Sequence, residues 1–471
     1  MPEAIKMLIS ANIKVWVLTG DKKETAIEIG KSCKLIQDDM ELVELSTDLA
    51  DVEDELIRLS LLFPNLETGA TDDIEEFRKE NLAEGQRPLS IVIDGPTLGT
   101  ILADEAMSTR FFRLGLLASS VVCCRVSPKQ KADVVGLVKR HGRWITLSVG
   151  DGANDVPMIR EANIGVGVRG KEGSQAVRSA DYALNQFFYL QRLLLVHGRW
   201  GYRRVSWLVC YYFYKNIVLV FTEIFFSLQN GFSGQIFFAD WLQALYNALW
   251  SSWACLVAYS LEQDVNDQYV YKYPRVYMAG QKGAYFSFGV FWRWIAFSVW
   301  HGIICYFGSV QGLAGPIDST GMTQSHWFTS AVSFTLIMHV IVGKLFLETV
   351  YWNWIAGITN VACLLFYYLC VIAGNTAPVA EVFQPEINGQ YFAMLQSGKA
   401  WIILIILPLV ALLPDTVYML ARRLFYPTPT DAVMLIQQKE PSFVFDGFSE
   451  VFIPQLPGDQ DDEIDELAKR H

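Results

Sequence analysis

Six apolar stretches in the second half of the chain, 205–228, 242–260, 290–310, 327–347, 352–374 and 400–421, are each about long enough to cross the hydrocarbon core of a bilayer. Lipid offers no water to an unpaired backbone amide or carbonyl, so runs of this length satisfy their own peptide groups there only as helices. The pattern predicts an all-α transmembrane bundle of six helices over 199–425. An even number of crossings returns the chain to the side from which it entered.

Basic residues orient that bundle. Arg199, Arg203 and Arg204 precede the first span, Lys272, Arg275 and Lys282 lie between the second and third, and Arg422 and Arg423 follow the last. The opposite loops, 229–241, 311–326 and 375–399, hold one basic residue among them, Lys399. Cytosolic loops carry the excess of Lys and Arg, so the segment before the bundle and the tail at 426–471 are both expected in the cytosol. The tail ends in the acidic run GDQDDEIDEL and reads as a plain mobile extension.

Charge inside the spans is the next constraint. Lys215, in YYFYKN, lies near the middle of the first span, where an ammonium is costly without a polar partner or a watery cleft. Glu223 lies nearer the outer end of the same span, and a buried role and a headgroup-level role are both open to it. His301 and His339 read as hydrogen-bonding residues between helices, and Asn247, Ser251 and Ser252 as modest polar groups on the second span. No cluster of acids is expected within the bundle.

Residues 1–200 hold most of the charge of a chain that is 52% apolar, so a soluble head precedes the membrane block. Its centre is SVGDGANDVPMIREANIGVGV, Ser148 to Val168. An apolar run from Trp144 delivers two carboxylates, Asp151 and Asp155, among Gly150, Gly152 and Asn154, which reads as strand, tight turn and helix. Open α/β sheets put ligands at the carboxyl ends of parallel strands, and two acids four residues apart can share one hard cation, expected to be Mg²⁺. VWVLTGD, Val15 to Asp21, is a second strand, ending in the hydroxyl of Thr19 and the acid of Asp21; VVCCRVSPKQK, Val121 to Lys131, is a third, ending in Arg125 and Lys131. Together they supply what phosphoryl transfer needs: a hydroxyl for phosphate oxygens, a fixed ammonium and carboxylates for the metal.

The rest of the head reads more plainly. MPEAIKMLISANIKV is an amphipathic helix feeding the strand at Val15 rather than a signal peptide, since Glu3 and Lys6 interrupt it. Residues 36–88 are acidic and irregular and read as a solvated insertion, after which LSIVIDG, Leu89 to Gly95, re-enters a doubly wound parallel sheet. The eight cysteines form no CxxC pair and are expected to be buried free thiols.

LTGDKKETA, CCRVSPKQK, GDGANDVPMI, GVRGKEGSQAVRSADYAL and QRLLLVHGRWGYRRVSWLVCYYFYKN resemble the later motifs of a P-type ATPase, specifically of the type IV lipid flippases, from about Pro2 to Pro427. The resemblance implies a haloacid-dehalogenase-like, Rossmann-like phosphorylation domain over 1–198, followed by the six-helix membrane domain. It implies that Asp151 and Asp155 hold Mg²⁺, that Thr19, Gly20, Asp21, Arg125, Lys131, Asn154 and Asp155 bind ATP, and that Thr19, Asp21 and Lys131 are catalytic. Lys215 and Asn216 would face the lipid path. The substrate would be a phospholipid, with an aminophospholipid favoured, moved from the exoplasmic to the cytosolic leaflet of the plasma membrane or an endomembrane. A two-spanning accessory subunit is a possible partner, and no nucleic acid is expected.

Two features depart from the family pattern. The family's DKTGT loop, which carries the phosphorylated aspartate, does not occur in these 471 residues, so the chain reads as a C-terminal portion that is inactive without an N-terminal half. WSSWA, Trp250 to Ala254, lacks the expected proline, which leaves helix unwinding there open. A non-catalytic fragment that assembles with a separate N-terminal half, and a membrane-anchored phosphatase with the same head, stay open as alternatives. An ion pump would need carboxylates and amides in the membrane to replace an ion's water shell, whereas a lipid carrier needs a polar groove for one headgroup. The spans as read here suit the carrier.

Overall fold

The computed structural model describes residues 1–45, 52–63, 66, 77, 81, 87–142, 144–170, 173–315, 323–376 and 384–440. Within them the chain divides into two compact units, Met1–His197 and Gly198–His471. Most of the acidic residues of 46–86 and the acidic end of the tail lie outside the described residues.

In the first unit, α1 (Pro2–Ser10) buries Ala4, Ile5 and Leu8 along one face, as its amphipathic pattern requires, and leads into β1 (Val15–Leu18). β1 is followed by α2 (Lys23–Ser32), β2 (Glu41–Leu45), α3 (Val52–Leu61), β3 (Leu89–Asp94), α4 (Gly95–Ala103), α5 (Glu105–Leu117), β4 (Ser120–Cys124) and α6 (Pro128–His141). These four strands form one parallel sheet in the order β1-β4-β3-β2. Every residue of β3 and β4 is buried, because helices cover both faces of a parallel sheet and its central strands therefore read as continuous apolar runs. A second parallel sheet, β5 (Leu147–Gly150), β6 (Ile164–Val168) and β7 (Tyr182–Leu184), is threaded by α7 (Val156–Glu161) and α8 (Gln175–Ser179).

The acidic segment behaves differently from its composition. Within 36–88, Glu41–Leu45 forms the sheet-edge strand β2, in register with β3, and α3 packs against α5 through Leu56 and Leu59. Its acids occupy the outer faces while the leucines between them enter the core, so charge density alone concealed two elements.

Among the described residues, five helices are long and apolar enough to cross a membrane. They include α9 (Arg199–Gln229) and four more, α12 (Phe288–Gly312), α13 (His326–Glu348), α14 (Trp354–Gly374) and α15 (Gly398–Phe425), with α16 (Pro429–Lys439) after them. α13 is buried along most of its length, whereas Val205, Phe213, Val220, Ile358, Leu365, Ile405 and Leu409 on the others are exposed, as lipid-facing residues are.

The expected second span, 242–260, is not one helix. α10 (Asp240–Leu245) passes into a π-helical turn, Tyr246–Trp250; the chain breaks at Ser251, at φ −124° and ψ −16°, and resumes as α11 (Ser252–Leu261). The break occurs without a proline, and side chains bond to the carbonyls around it. Ser251 Oγ donates to Tyr246 O at 2.7 Å, Trp250 Nε1 donates to Leu242 O at 3.1 Å, and Ser252 Oγ donates to Asn247 O. Among the described residues the long apolar helices therefore number five, against the six expected spans.

Candidate functional site

Two groups of residues stand out, one in each unit. In the first, the loops that leave β1 and β4 are laced together: Thr19 N donates to Cys123 O at 2.9 Å, Arg125 N to Asp21 O at 2.9 Å, and Val126 N to Thr19 O at 3.1 Å. Arg125 takes a positive φ of 53° to make this crossing. Thr19 Oγ1 donates to Asp21 Oδ2 at 2.8 Å and accepts from Asp21 N at 3.1 Å, a local turn that holds the hydroxyl and the carboxylate side by side, with Gly20 and Asp21 exposed.

Lys131 stands on α6, whose start is fixed by Pro128 and by a reciprocal cap between Ser127 and Gln130. Its ammonium meets Asp155 Oδ1 at 2.8 Å, with both side chains largely buried at 12% and 14% exposure. Asp155 stands on the turn after β5, where a Cβ on Gly150 would lie 2.3 Å from the Asp155 Cβ, so only glycine lets the backbone pass. Asp151 N and Gly152 N point at Asp155 Oδ2, at 3.3 and 3.5 Å. The Asp151 carboxylate is exposed and has no hydrogen bond or ion pair among the described residues, and Asn154 is also exposed. Thr19, Gly20, Asp21 and Arg125 therefore form one group, and Lys131, Asp151, Asn154 and Asp155 another, both at carboxyl ends of parallel strands.

The donor set suits magnesium in part. No three His, Cys, Asp or Glu side chains gather into a cage among the described residues. Mg²⁺ takes one or two carboxylates and completes its shell with phosphate oxygens and water, so one unpaired acid beside one held by a lysine is a sufficient protein contribution.

In the second unit, Lys215 is fully buried and donates to Ser251 Oγ at 2.7 Å and Ser252 Oγ at 3.4 Å, at the break between α10 and α11. Its ammonium also lies 4.2 Å from the Tyr212 ring centroid, and Tyr246 Oη donates to the Lys215 carbonyl at 2.8 Å. Asn216 is not in this cluster; its amide donates to Tyr212 O within the same helix at 2.9 Å. Glu223 is half-buried and accepts from Gln243 of α10.

The sequence reading missed charges in the membrane. Lys344, inside the span 327–347, and Asp415, inside 400–421, form a buried ion pair, and Lys344 also meets Glu348 at 2.6 Å. The expectation that the spans carry only Lys215 and Glu223, with no cluster of acids, is thus corrected. The signal is present in the sequence: Lys344 and Asp415 each stand as an ionisable residue inside an apolar run, which is itself notable. His301 bonds between helices as expected, to Tyr214 of α9 and Asp415 of α15. His339 bonds Thr335 O in its own helix and Tyr368 of α14.

A second missed cluster lies beyond the end of α11. Arg199 forks onto Asp264 at 2.8 and 2.5 Å, and Arg203 meets Glu262 at 2.9 Å and Asp264 at 3.5 Å. All four side chains are at most 5% exposed. Burial acts to raise the pKa of Asp264, but Arg203 and Arg199 outweigh it and hold the carboxyl down to about 2. In the sequence these arginines signal only the orientation of the bundle. All eight cysteines are free, and seven of them are buried.

The comparisons agree with one another. Residues 177–428 match the family model described as phospholipid-translocating P-type ATPase, C-terminal. The chain is 38% identical over 442 residues to phospholipid-transporting ATPase C887.12 of Schizosaccharomyces pombe, which covers 93% of this chain and 34% of that protein. It is 35% identical to phospholipid-transporting ATPase DRS2 of Saccharomyces cerevisiae, across 93% of this chain and 32% of that protein. To phospholipid-transporting ATPase ID of Homo sapiens it is 34% identical, across 93% and 37%. The chain spans about a third of the length of the curated relatives it matches.

Proposed function

The chain belongs to the phospholipid-translocating P-type ATPases, as a multi-pass C-terminal portion, and from that premise we propose that it takes part in ATP-driven movement of phospholipids from the exoplasmic to the cytosolic leaflet. The observation that carries this reading is Lys215: a buried ammonium on α9 tied to two serines at a break in the neighbouring segment. A helix interrupted at membrane depth is tolerated where it lines a polar cavity, and a lone ammonium suits a headgroup phosphate or carboxylate better than a metal cation. We count the interrupted segment, α10 to α11, as the sixth crossing, so that both units' termini face the cytosol, in keeping with the basic loops. Aminophospholipids are the favoured substrates.

In the head, which we take as the haloacid-dehalogenase-like phosphorylation domain, Thr19 would turn its one hydroxyl proton from Asp21 to a phosphoryl oxygen, while the Asp21 amide still donates to its oxygen. Lys131 would neutralise charge on the transferring group, with Asp155 fixing where its ammonium points. Asp151, together with Asp155, would hold Mg²⁺, and Gly20, Arg125 and Asn154 would line the nucleotide. Bound magnesium would supply charge stabilisation to the phosphoryl group. β1 and β5 each pair on one side only among the described residues, so a further parallel strand bearing the acceptor aspartate could be contributed by an N-terminal half of the pump. By family likeness we add a two-spanning accessory subunit as a proposed partner.

The test is to join this chain to such an N-terminal half, reconstitute the product in vesicles, and measure ATP hydrolysis against a panel of lipids and of monovalent and divalent cations beyond Mg²⁺. Stimulation by phosphatidylserine or phosphatidylethanolamine is expected. Stimulation by a cation and by no lipid would overturn the reading.

A further inference from the structure

Tyr214 and Lys215 are neighbours on α9, so their side chains leave the helix about 100° apart. Lys215 points to the Ser251 break, and Tyr214 points to α12, where its hydroxyl lies 2.6 Å from His301 Nδ1. His301 Nε2 faces two acceptors, Ala411 O at 2.9 Å and Asp415 Oδ2 at 3.0 Å, both on α15. Two acceptors on Nε2 assign the proton there, which leaves Nδ1 to accept from the Tyr214 hydroxyl. The other carboxylate oxygen of Asp415 takes the Lys344 ammonium from α13, and Lys344 is in turn held by Glu348. Tyr214 and His301 are fully buried, with Lys344 at 3% and Asp415 at 2% exposure.

Five polar side chains on four helices thus form one chain, with a side bond from His301 to Ala411 O, that ends on the residue beside Lys215. Apolar side chains of the same volume would pack at least as stably, so the burial of these charges is poorly explained by stability alone. What the chain supplies is direction. Each hydrogen bond fixes the group before it, and the last fixes the rotation of α9 about its own axis. A turn of about 15° would swing an ammonium on the long lysine stem by roughly 2 Å, enough to break its bond to Ser251.

We propose that Asp415, His301 and Tyr214 are positioning residues for Lys215, setting the rotation of α9 that presents the ammonium to the broken segment. The inference rests on the reading of Lys215 as part of the lipid path. Tyr214→Phe removes one hydroxyl from a packed ring and is the mildest perturbation of the chain; Asp415→Asn keeps the shape and removes the charge that orients the imidazole.

The experiment is a phosphatidylserine titration of phosphoenzyme decay in the complete pump containing this chain, with wild type, Tyr214→Phe, Asp415→Asn, the double variant and Lys215→Ala side by side. Tyr214→Phe should raise the half-maximal lipid concentration about three- to tenfold, the worth of one neutral hydrogen bond, while leaving phosphoenzyme formation from ATP unchanged. Asp415→Asn should shift the titration in the same direction, and the double variant should shift it by less than the product of the single effects, because the two residues act in series. A merely structural role would reduce the amount of active pump and leave the half-maximal concentration where it was. A shift for Lys215→Ala with a superimposable Tyr214→Phe curve would overturn this proposal and spare the lipid-path reading. No shift for either would overturn both, and a fully multiplicative double variant would break the link from Asp415 to Tyr214. If Asp415→Asn does not fold, Tyr214→Phe against Lys215→Ala decides alone.

Discussion

Replacing Arg203 by Met should be among the most destabilising single changes in the second unit. Arg203 and Arg199 balance Glu262 and Asp264 in a cluster whose side chains are all at most 5% exposed. Methionine fills much of the same space and preserves the packing on Trp207, whose ring centroid lies 3.8 Å from the guanidinium carbon, but it leaves the Glu262 carboxylate buried with only the Val350 and Tyr351 amides at 3.2–3.3 Å. Asp264 keeps Arg199, so Glu262 is left without an ion-pair partner and with only the weaker field of Arg204, at a cost of up to about 3–5 kcal/mol. In a thermal melt of the purified chain in detergent, followed at one scan rate, that corresponds to a fall on the order of 5–10 °C. Glu262→Gln added to Arg203→Met restores charge balance and retains an oxygen for the two amides, so the double variant should recover about 1–3 kcal/mol of the summed single losses. An Arg203→Met chain melting within a degree of wild type, with strictly additive losses, would refute the argument that these four charges stabilise one another.

The same cluster predicts a response to acid. Asp264 is held at about 2, below its ordinary value of 3.8, so the stability it contributes is present above about pH 4 and is lost as pH falls towards 2; in Arg203→Met that loss should begin at a higher pH, read from melts across an acid series, and identical acid profiles would count against it. Asp151→Asn in the complete pump should abolish phosphoenzyme formation or turnover while leaving the membrane unit's melting unchanged, because Asp151 is an exposed carboxylate with no hydrogen-bond or ion-pair partner among the described residues; normal turnover would remove it from the metal site. Lys215→Ala should leave phosphorylation by ATP intact but require about ten- to a hundredfold more lipid for half-maximal dephosphorylation, the worth of a charge-assisted hydrogen bond. Superimposable lipid titrations would reduce Lys215 to a structural lysine.

Much of the head was legible because its determinants are local. Thr19 and Asp21, Lys131, and Asp151 with Asp155 each follow a short apolar run that forms a strand of a parallel sheet, and Gly150 is demanded by a side chain five residues away. The long apolar helices were legible for a similar reason, since lipid forces each run to satisfy its own backbone. What the sequence did not yield depends on partners distant in the chain. Leu42 and Leu45 belong to a strand only because Ser90 and Ile93 lie beside them in register, and the surrounding acids hid that pairing. The break at Ser251 occurs without a proline, and around it bond the Trp250 indole, two serine hydroxyls and the ammonium of Lys215, which arrives from another helix. Lys344 meets Asp415 across 71 residues, and Arg199 meets Asp264 across 65. Periodicity and length report how a segment treats its own backbone and which face it hides; whether a buried charge is a flank, a partner or a functional group is decided by which other charge the fold brings within 3 Å of it, since Coulomb attraction at that range offsets the cost of leaving water and nothing along the chain encodes the meeting.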